Sequence, residues 1–253
     1  MTEDIGPILH NWEYLPNDIN VRIIDGLDGK QKLQMRLDLG LLQMELDGRP
    51  DGQRPHKFDT YLSYFEHKAK KSKSKKKFVL TAMDCLKLQQ EAIQYYHRYL
   101  GLMKLGDFAR VARDTLRNLR VFDFVAKYAE NDELKWSFEQ YRPYVIMMYT
   151  RAVASMSLEK ENYDEALDFI KNGMEKIEDY YNKYADREIS DERYELGFLK
   201  QWAEEIKEKK PLSERERLSL ELEQAIQMER YEQAAILRDK LKFLNQKESN
   251  EHK

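Results

Sequence analysis

One cysteine, six prolines and ten glycines are few for 253 residues, and each scarcity excludes something. A lone Cys85 forms neither an intramolecular disulfide nor a cysteine-based zinc site, which points to a reducing compartment. Its place in an apolar helical pattern predicts a buried small hydrophobe. Six of the glycines and four of the prolines precede residue 56, so the remainder has little to break a helix. No run approaches the roughly 20 apolar residues that span a bilayer. The segment from Met1 to Pro16 carries Glu3, Asp4, His10 and Glu13 and lacks a basic-then-apolar pattern. Membrane insertion and secretion are therefore not expected, and a cytoplasmic location is. Charge of one sign is missing too, because 43 Lys+Arg face 46 Asp+Glu. Finally, there is no G-x-x-x-x-G-K-[S/T] loop, H-E-x-x-H, G-x-S-x-G or cysteine-histidine cluster, so no catalytic residue, cofactor or metal site is assigned.

What is present divides into five stretches: an N-terminal β-hairpin region (1–66), a lysine-rich linker (67–77), a helical body (78–210), a C-terminal helical hairpin (211–245) and a polar tail (246–253). In the first, Val21 and Ile23 precede a Gly26-Leu27-Asp28-Gly29 turn, after which Leu33, Met35, Leu37 and Leu39 alternate with polar residues. These four are expected to be buried together. At Gly40 the apolar phase slips by one residue, which predicts a strand continuing through a β-bulge. An isolated hairpin is marginal in water, so it should lie on the helical body or on another copy of itself. Residues 68–77 hold seven lysines and no large apolar residue, the composition of a solvated tether. Helices are expected near 79–104, 107–129, 132–159, 162–185, 190–208, 213–228 and 231–245, with Ser213 and Glu216 forming a capping box.

Three inter-helix turns share one grammar: Gly106-Asp107-Phe108 with Val111, Glu161-Asn162-Tyr163 with Ala166, and Glu229-Arg230-Tyr231 with Ala234. An aromatic residue opening the second helix and a small or β-branched one a turn later suit closely packed antiparallel helices. The middle hairpin resembles a tetratricopeptide repeat, with Ala154, Tyr163, Ala166, Ile170 and Gly173 at that family's spacing. Its helices run longer, and Tyr99 and Asn118 stand where the preceding pair should carry small residues. The resemblance implies a mainly α fold of stacked helical hairpins, without a specific peptide groove.

In the last hairpin, Leu222, Ala225, Ile226, Tyr231-Glu232, Ala234-Ala235, Leu237-Arg238-Asp239, Leu241 and Leu244 resemble the UVR motif. That motif is shared by the excision-repair proteins UvrB and UvrC, Clp-type ATPases and McsA-type adaptors. The resemblance implies a module that binds other proteins, often another copy of itself. Helical periodicity puts Tyr231, Ala234, Leu237, Leu241 and Leu244 on a stripe that should close on Leu218, Leu222 and Ala225. Ile236 and Phe243 point away from it and are candidates for a partner surface, flanked by Arg238 and Asp239.

Other residues carry weaker signals. Arg110, Arg113, Arg117 and Arg120 align along one face of their helix. Because Phe108, Ala112, Thr115, Leu119 and Ala126 define a core side, the row is expected on solvent, where it could meet an anion or an acidic partner. His56 lies near Asp59, an arrangement more often a surface loop than an acid-base pair. Asp25, Asp28, Asp38, Asp47 and Asp51 could gather around a hard cation such as Mg²⁺, although they lack EF-hand spacing. The expected function is a noncatalytic adaptor or scaffold that binds a protein partner through Ile236, Phe243, Arg238 and Asp239. The alternative is a nucleic-acid-associated accessory of excision repair using the lysine run and the arginine row.

Overall fold

A computed structural model describes residues 4–72, 78–185, 187, 193–212 and 214–251, leaving aside the side chains of 214, 216 and 245–251. In chain order the elements are α1 (Gly6–His10), β1 (Val21–Asp25), β2 (Gln31–Leu37), β3 (Gly40–Glu45), α2 (Tyr61–Lys71), α3 (Ala82–Lys104), α4 (Phe108–Tyr128) and α5 (Asp132–Glu139). They continue with α6 (Arg142–Leu158), α7 (Tyr163–Lys183), α8 (Tyr194–Lys209), α9 (Glu214–Gln227) and α10 (Tyr231–Glu251). The fold is mainly α, with one small antiparallel sheet. It divides into two units, Met1–Glu204 and Glu205–Lys253, with the boundary inside α8.

The sheet is a meander in the order β1-β2-β3. Between β1 and β2 the Gly26 N–H donates to Lys30 O at 2.8 Å, and Gly29 takes φ +75°, a value that favours glycine. The expected bulge at Gly40 is instead a second reversal. Leu37 pairs with Gly40, so Asp38 and Leu39 form a two-residue hairpin turn. This corrects the burial expectation as well. Leu33 and Met35 are buried, but Leu37 at the strand end is 41% exposed and Leu39 at the turn tip 95%.

Arg22, Gln34 and Gln43 lie opposite one another across the three strands. Arg22 Nε donates to Gln34 Oε1 and Gln34 Nε2 to Gln43 Oε1, each at 2.9 Å, and the Arg22 guanidinium stacks on Trp12 at 4.1 Å. Leu33 packs on α3 so closely that a Cβ at Gly101 would lie 2.9 Å from its Cδ2. The sheet therefore rests on the chain's own helical body, one of the two supports expected.

Helix starts follow the capping residues. Thr60 with Ser63 and Thr81 with Asp84 make capping boxes, while Asp107, Asn131 and Asn162 cap α4, α5 and α7. The Thr60 box opens α2, which spans the junction between the expected β-hairpin region and the expected lysine-rich linker. Lys68, Lys70 and Lys71 form its last turn, where cations complement the helix dipole, so this part of the run is not a tether. Residues 73–77 lie outside the described residues, as does Ser213 of the expected capping box. The single helix expected over 132–159 is broken near Gln140 and Tyr141, with Pro143 in the first turn of α6, where a missing N–H costs nothing.

The repeated turn proves to be one geometry used three times. Gly106, Glu161 and Glu229 take φ of +77°, +57° and +57°. The next N–H in each case donates to the carbonyl five residues back: Asp107 to Leu102 at 3.0 Å, Asn162 to Ser157 at 2.9 Å, and Arg230 to Ala225 at 2.8 Å. These are Schellman closures, which satisfy carbonyls orphaned at the helix end. After the middle turn, α6 and α7 approach so closely that a Cβ at Gly173 would collide with Thr150 Oγ1. Ala154, Ala166 and Ile170 are fully buried along the same hairpin.

Candidate functional site

The arginine row of α4 meets solvent only in part: the Arg113 and Arg120 side chains are 40% and 63% exposed, as expected, while Arg117 is 11% exposed, and all four are paired with carboxylates. Arg110 Nε and Arg113 Nη1 both reach Asp47 Oδ1, at 3.2 and 2.5 Å, in the loop after β3. Arg113 Nη2 donates to Leu46 O at 2.7 Å. Arg117 pairs with Glu91 of α3, and Arg120 with Glu66 of α2 at 2.9 Å. The reason is tertiary. The chain returns Asp47 and Glu66 to this face and α3 adds Glu91, so each guanidinium finds a carboxylate within the Met1–Glu204 unit. The Arg110 hydrogen bond, helped by Arg113 and opposed by partial burial, holds the Asp47 carboxyl below the usual carboxylate range. On the other side of α4, Ala112 and Thr115 are buried and Phe108 and Leu119 half-buried as expected, but Ala126 is exposed.

Behind the row lie further, buried charges. Arg98 of α3 is fully buried and holds Asp114 of α4 with two hydrogen bonds, Nε to Oδ2 at 2.6 Å and Nη2 to Oδ1 at 2.8 Å. Its remaining Nη1 donates to Glu45 O and Gly48 O at 2.8 and 2.9 Å. Glu91, also fully buried, accepts from the Tyr61 N–H at 2.7 Å in the first turn of α2. A carboxylate is favourable at that helix end. Arg49 Nε lies 3.6 Å from the same carboxylate. Burial pulls the Arg117 guanidinium below its usual value against the raising influence of Glu91. A signal for these residues was present. Glu91 and Arg98 share the helical phase of Leu88, Tyr95 and Leu102, so a core-facing stripe on α3 carries one charge of each sign.

The candidates for acid-base or cation chemistry are dispersed. His56 stacks on Tyr64 at 4.2 Å between centroids, while Asp59 pairs with Arg54 at 2.7 Å. Of the five aspartates, Asp28 pairs with Lys32, Asp38 accepts from the Tyr14 hydroxyl, Asp47 holds the two arginines, and Asp51 pairs with Arg49. Among the described residues no group of three or more His, Cys, Asp or Glu is placed to hold a metal ion. Nor is any described helix long and apolar enough to cross a membrane. Cys85 is buried, which pushes its thiol up to about 11.

In the Glu205–Lys253 unit, Leu218, Ala225, Ala234 and Leu237 are buried together, with Leu222, Leu241 and Leu244 packed against them. This is the expected closing stripe with one exception. Tyr231 is 68% exposed, because it opens α10 directly after the turn. Ile236 and Phe243 are 59% and 70% exposed. With Leu218 and Leu244 they line a depression of about 560 Å³ whose other walls are Arg217, Asp239 and Lys240. Arg238 and Asp239, neighbours in sequence, pair with each other at 3.3 Å and are both largely exposed. No family model, curated protein or solved structure matches the chain, so the resemblances noted above rest on its residues alone.

Proposed function

We propose that the chain is a noncatalytic adaptor whose C-terminal, UVR-like hairpin captures a protein partner, with a second hairpin of the same type as the natural occupant. One observation carries this reading. The hairpin closes with Leu218, Ala225, Ala234 and Leu237 and leaves Ile236 and Phe243, seven residues apart on one face of α10, exposed beside a depression. A large aromatic next to an apolar hollow, rimmed by Arg217, Asp239 and Lys240, has the anatomy of a hot spot with a polar surround. Rim charges of both signs suit a similar hairpin turned to face it.

The pairing of the arginine row with carboxylates of the same chain favours the adaptor reading over the nucleic-acid one, which would need those guanidinium groups for phosphates. Sedimentation of the full chain, alone and mixed with a separate UVR hairpin, tests the proposal. Association that persists in high salt and disappears in Phe243→Ser is expected. Association that survives this substitution, or that falls steeply with salt, would overturn it.

A further inference from the structure

A cavity of about 540 Å³ lies among α3, α4, α5 and α6 within the Met1–Glu204 unit, and the hairpin proposal makes no use of it. Its lining is rich in tyrosine: Tyr96 and Tyr99 from α3, Tyr141, and Tyr144 from α6. The Tyr96 ring stands 5.5 Å from Tyr99 at 88° and 6.2 Å from Tyr144 at 55°. The first pair is edge-to-face and the second tilted, so these rings do not stack flat on one another. Among the described lining residues Glu195 alone carries a formal charge at neutral pH. His97 also lines the cavity, and burial lowers its pKa from the usual value, which keeps the imidazole neutral. Tyr181 donates its hydroxyl to Glu195 Oε2 at 2.9 Å and so orients the carboxylate. The guanidinium groups of Arg151 and Arg193 stack on Phe198 and Tyr181, rings that do not line the cavity, although Arg151 also interacts electrostatically with the wall residue Tyr144.

Aromatic faces are negative and attract cations, and a weakly hydrated alkylated ammonium gives up little solvation on entering such a site. An anion would meet both the ring faces and Glu195. We infer that the tyrosine-walled cavity binds an alkylammonium group, tertiary or quaternary, with Tyr96, Tyr99, Tyr141 and Tyr144 as walls and Glu195 as counter-charge. The group can come from a free amine or from a methylated lysine side chain. The inference stands independently of the C-terminal hairpin.

Calorimetric titration of the full chain with choline and with its neutral isostere, 3,3-dimethyl-1-butanol, tests it. Choline should bind about thirtyfold more tightly, the size of a desolvated cation–π contribution. A trimethyllysine peptide provides a third arm. Binding of the peptide assigns the site to a modified side chain, and binding of choline without the peptide assigns it to a free amine. Equal binding of choline and the alcohol makes the cavity merely apolar and overturns the inference, as does binding of neither choline nor the peptide. Glu195→Gln should weaken choline and leave the alcohol unchanged. Unaltered choline affinity in that variant also overturns the inference. Should the variant lose its fold by circular dichroism, the probe pair on the unaltered chain still decides.

Discussion

Helices α4 and α10 each carry a row of residues at helical spacing outside the apolar seam of their own hairpin, and the two rows meet different fates. On α4 the row is Arg110, Arg113, Arg117 and Arg120, and the chain pairs it with Asp47, Glu91 and Glu66 although Arg120 stays 63% exposed. On α10 the row holds Ile236 and Phe243, and both stay exposed. Periodicity says which side chains share a face. It does not say what meets that face, because the partners are residues that the fold brings back from 26 to 66 positions away in the chain. The difference also separates two kinds of stabilisation, buried ion pairs in one unit and a small apolar seam in the other.

The strongest way to break the comparison is Asp114→Ala. It leaves Arg98 buried without its carboxylate, a change worth roughly 3–5 kcal/mol. Urea denaturation followed by near-UV circular dichroism should show the loss. An unchanged midpoint would mean that the ion pair is not buried as described. Next comes Leu237→Ala in the other unit, which removes a side chain only 5% exposed and should cost ~2–5 kcal/mol. Hydrogen exchange should then report faster opening of α9 and α10 while the Arg98 region keeps its protection. Loss of protection in both places would show that the two units do not unfold separately.

A smaller effect sharpens the electrostatic side. The Arg110 hydrogen bond and the neighbouring Arg113 lower the pKa of Asp47, so its stabilisation is present above its unfolded value, about pH 4, and is lost as pH falls through the lower folded value. The melting advantage of the unaltered chain over Asp47→Asn should hold steady at neutral pH and shrink below about pH 4. The Asp47 side chain is 68% exposed, so solvent screening keeps its worth to roughly 0.2–1 kcal/mol. A pH-independent difference would assign the loss to packing instead. At the small end, Phe243→Ser should move the melting temperature by the equivalent of less than about 0.5 kcal/mol, since the ring is 70% exposed. A drop as large as that of Leu237→Ala would make Phe243 part of the hairpin's own packing.

Local chemistry was the legible part of the sequence. The three hairpin turns, the first turn of the sheet, the buried Cys85 and most of the C-terminal seam follow from glycines, capping residues and spacing. All of these act within a few residues of one another. The errors fell where a local signal had two outcomes. The Asp38-Leu39 reversal and a bulge at Gly40 produce the same slip in apolar phase. The lysines of α2 suit a helix end as well as a tether, and Thr60 with Ser63 was the overlooked cue. At the candidate site, the exposure of Ile236 and Phe243 could be derived from the angle between residues on a helix. The engagement of the arginine row could not.

The sequence alone therefore determined the mainly α character, the hairpin boundaries marked by Gly106, Glu161 and Glu229, and the helix faces, because these depend on backbone propensity and a 3.6-residue period. Only the tertiary structure decided that Arg98 meets Asp114, that Glu91 serves α2, and that Tyr96, Tyr99 and Tyr144 enclose a cavity. Those contacts join helices and loops whose packing no local pattern encodes. A charge or a ring acquires its role from the partner placed opposite it.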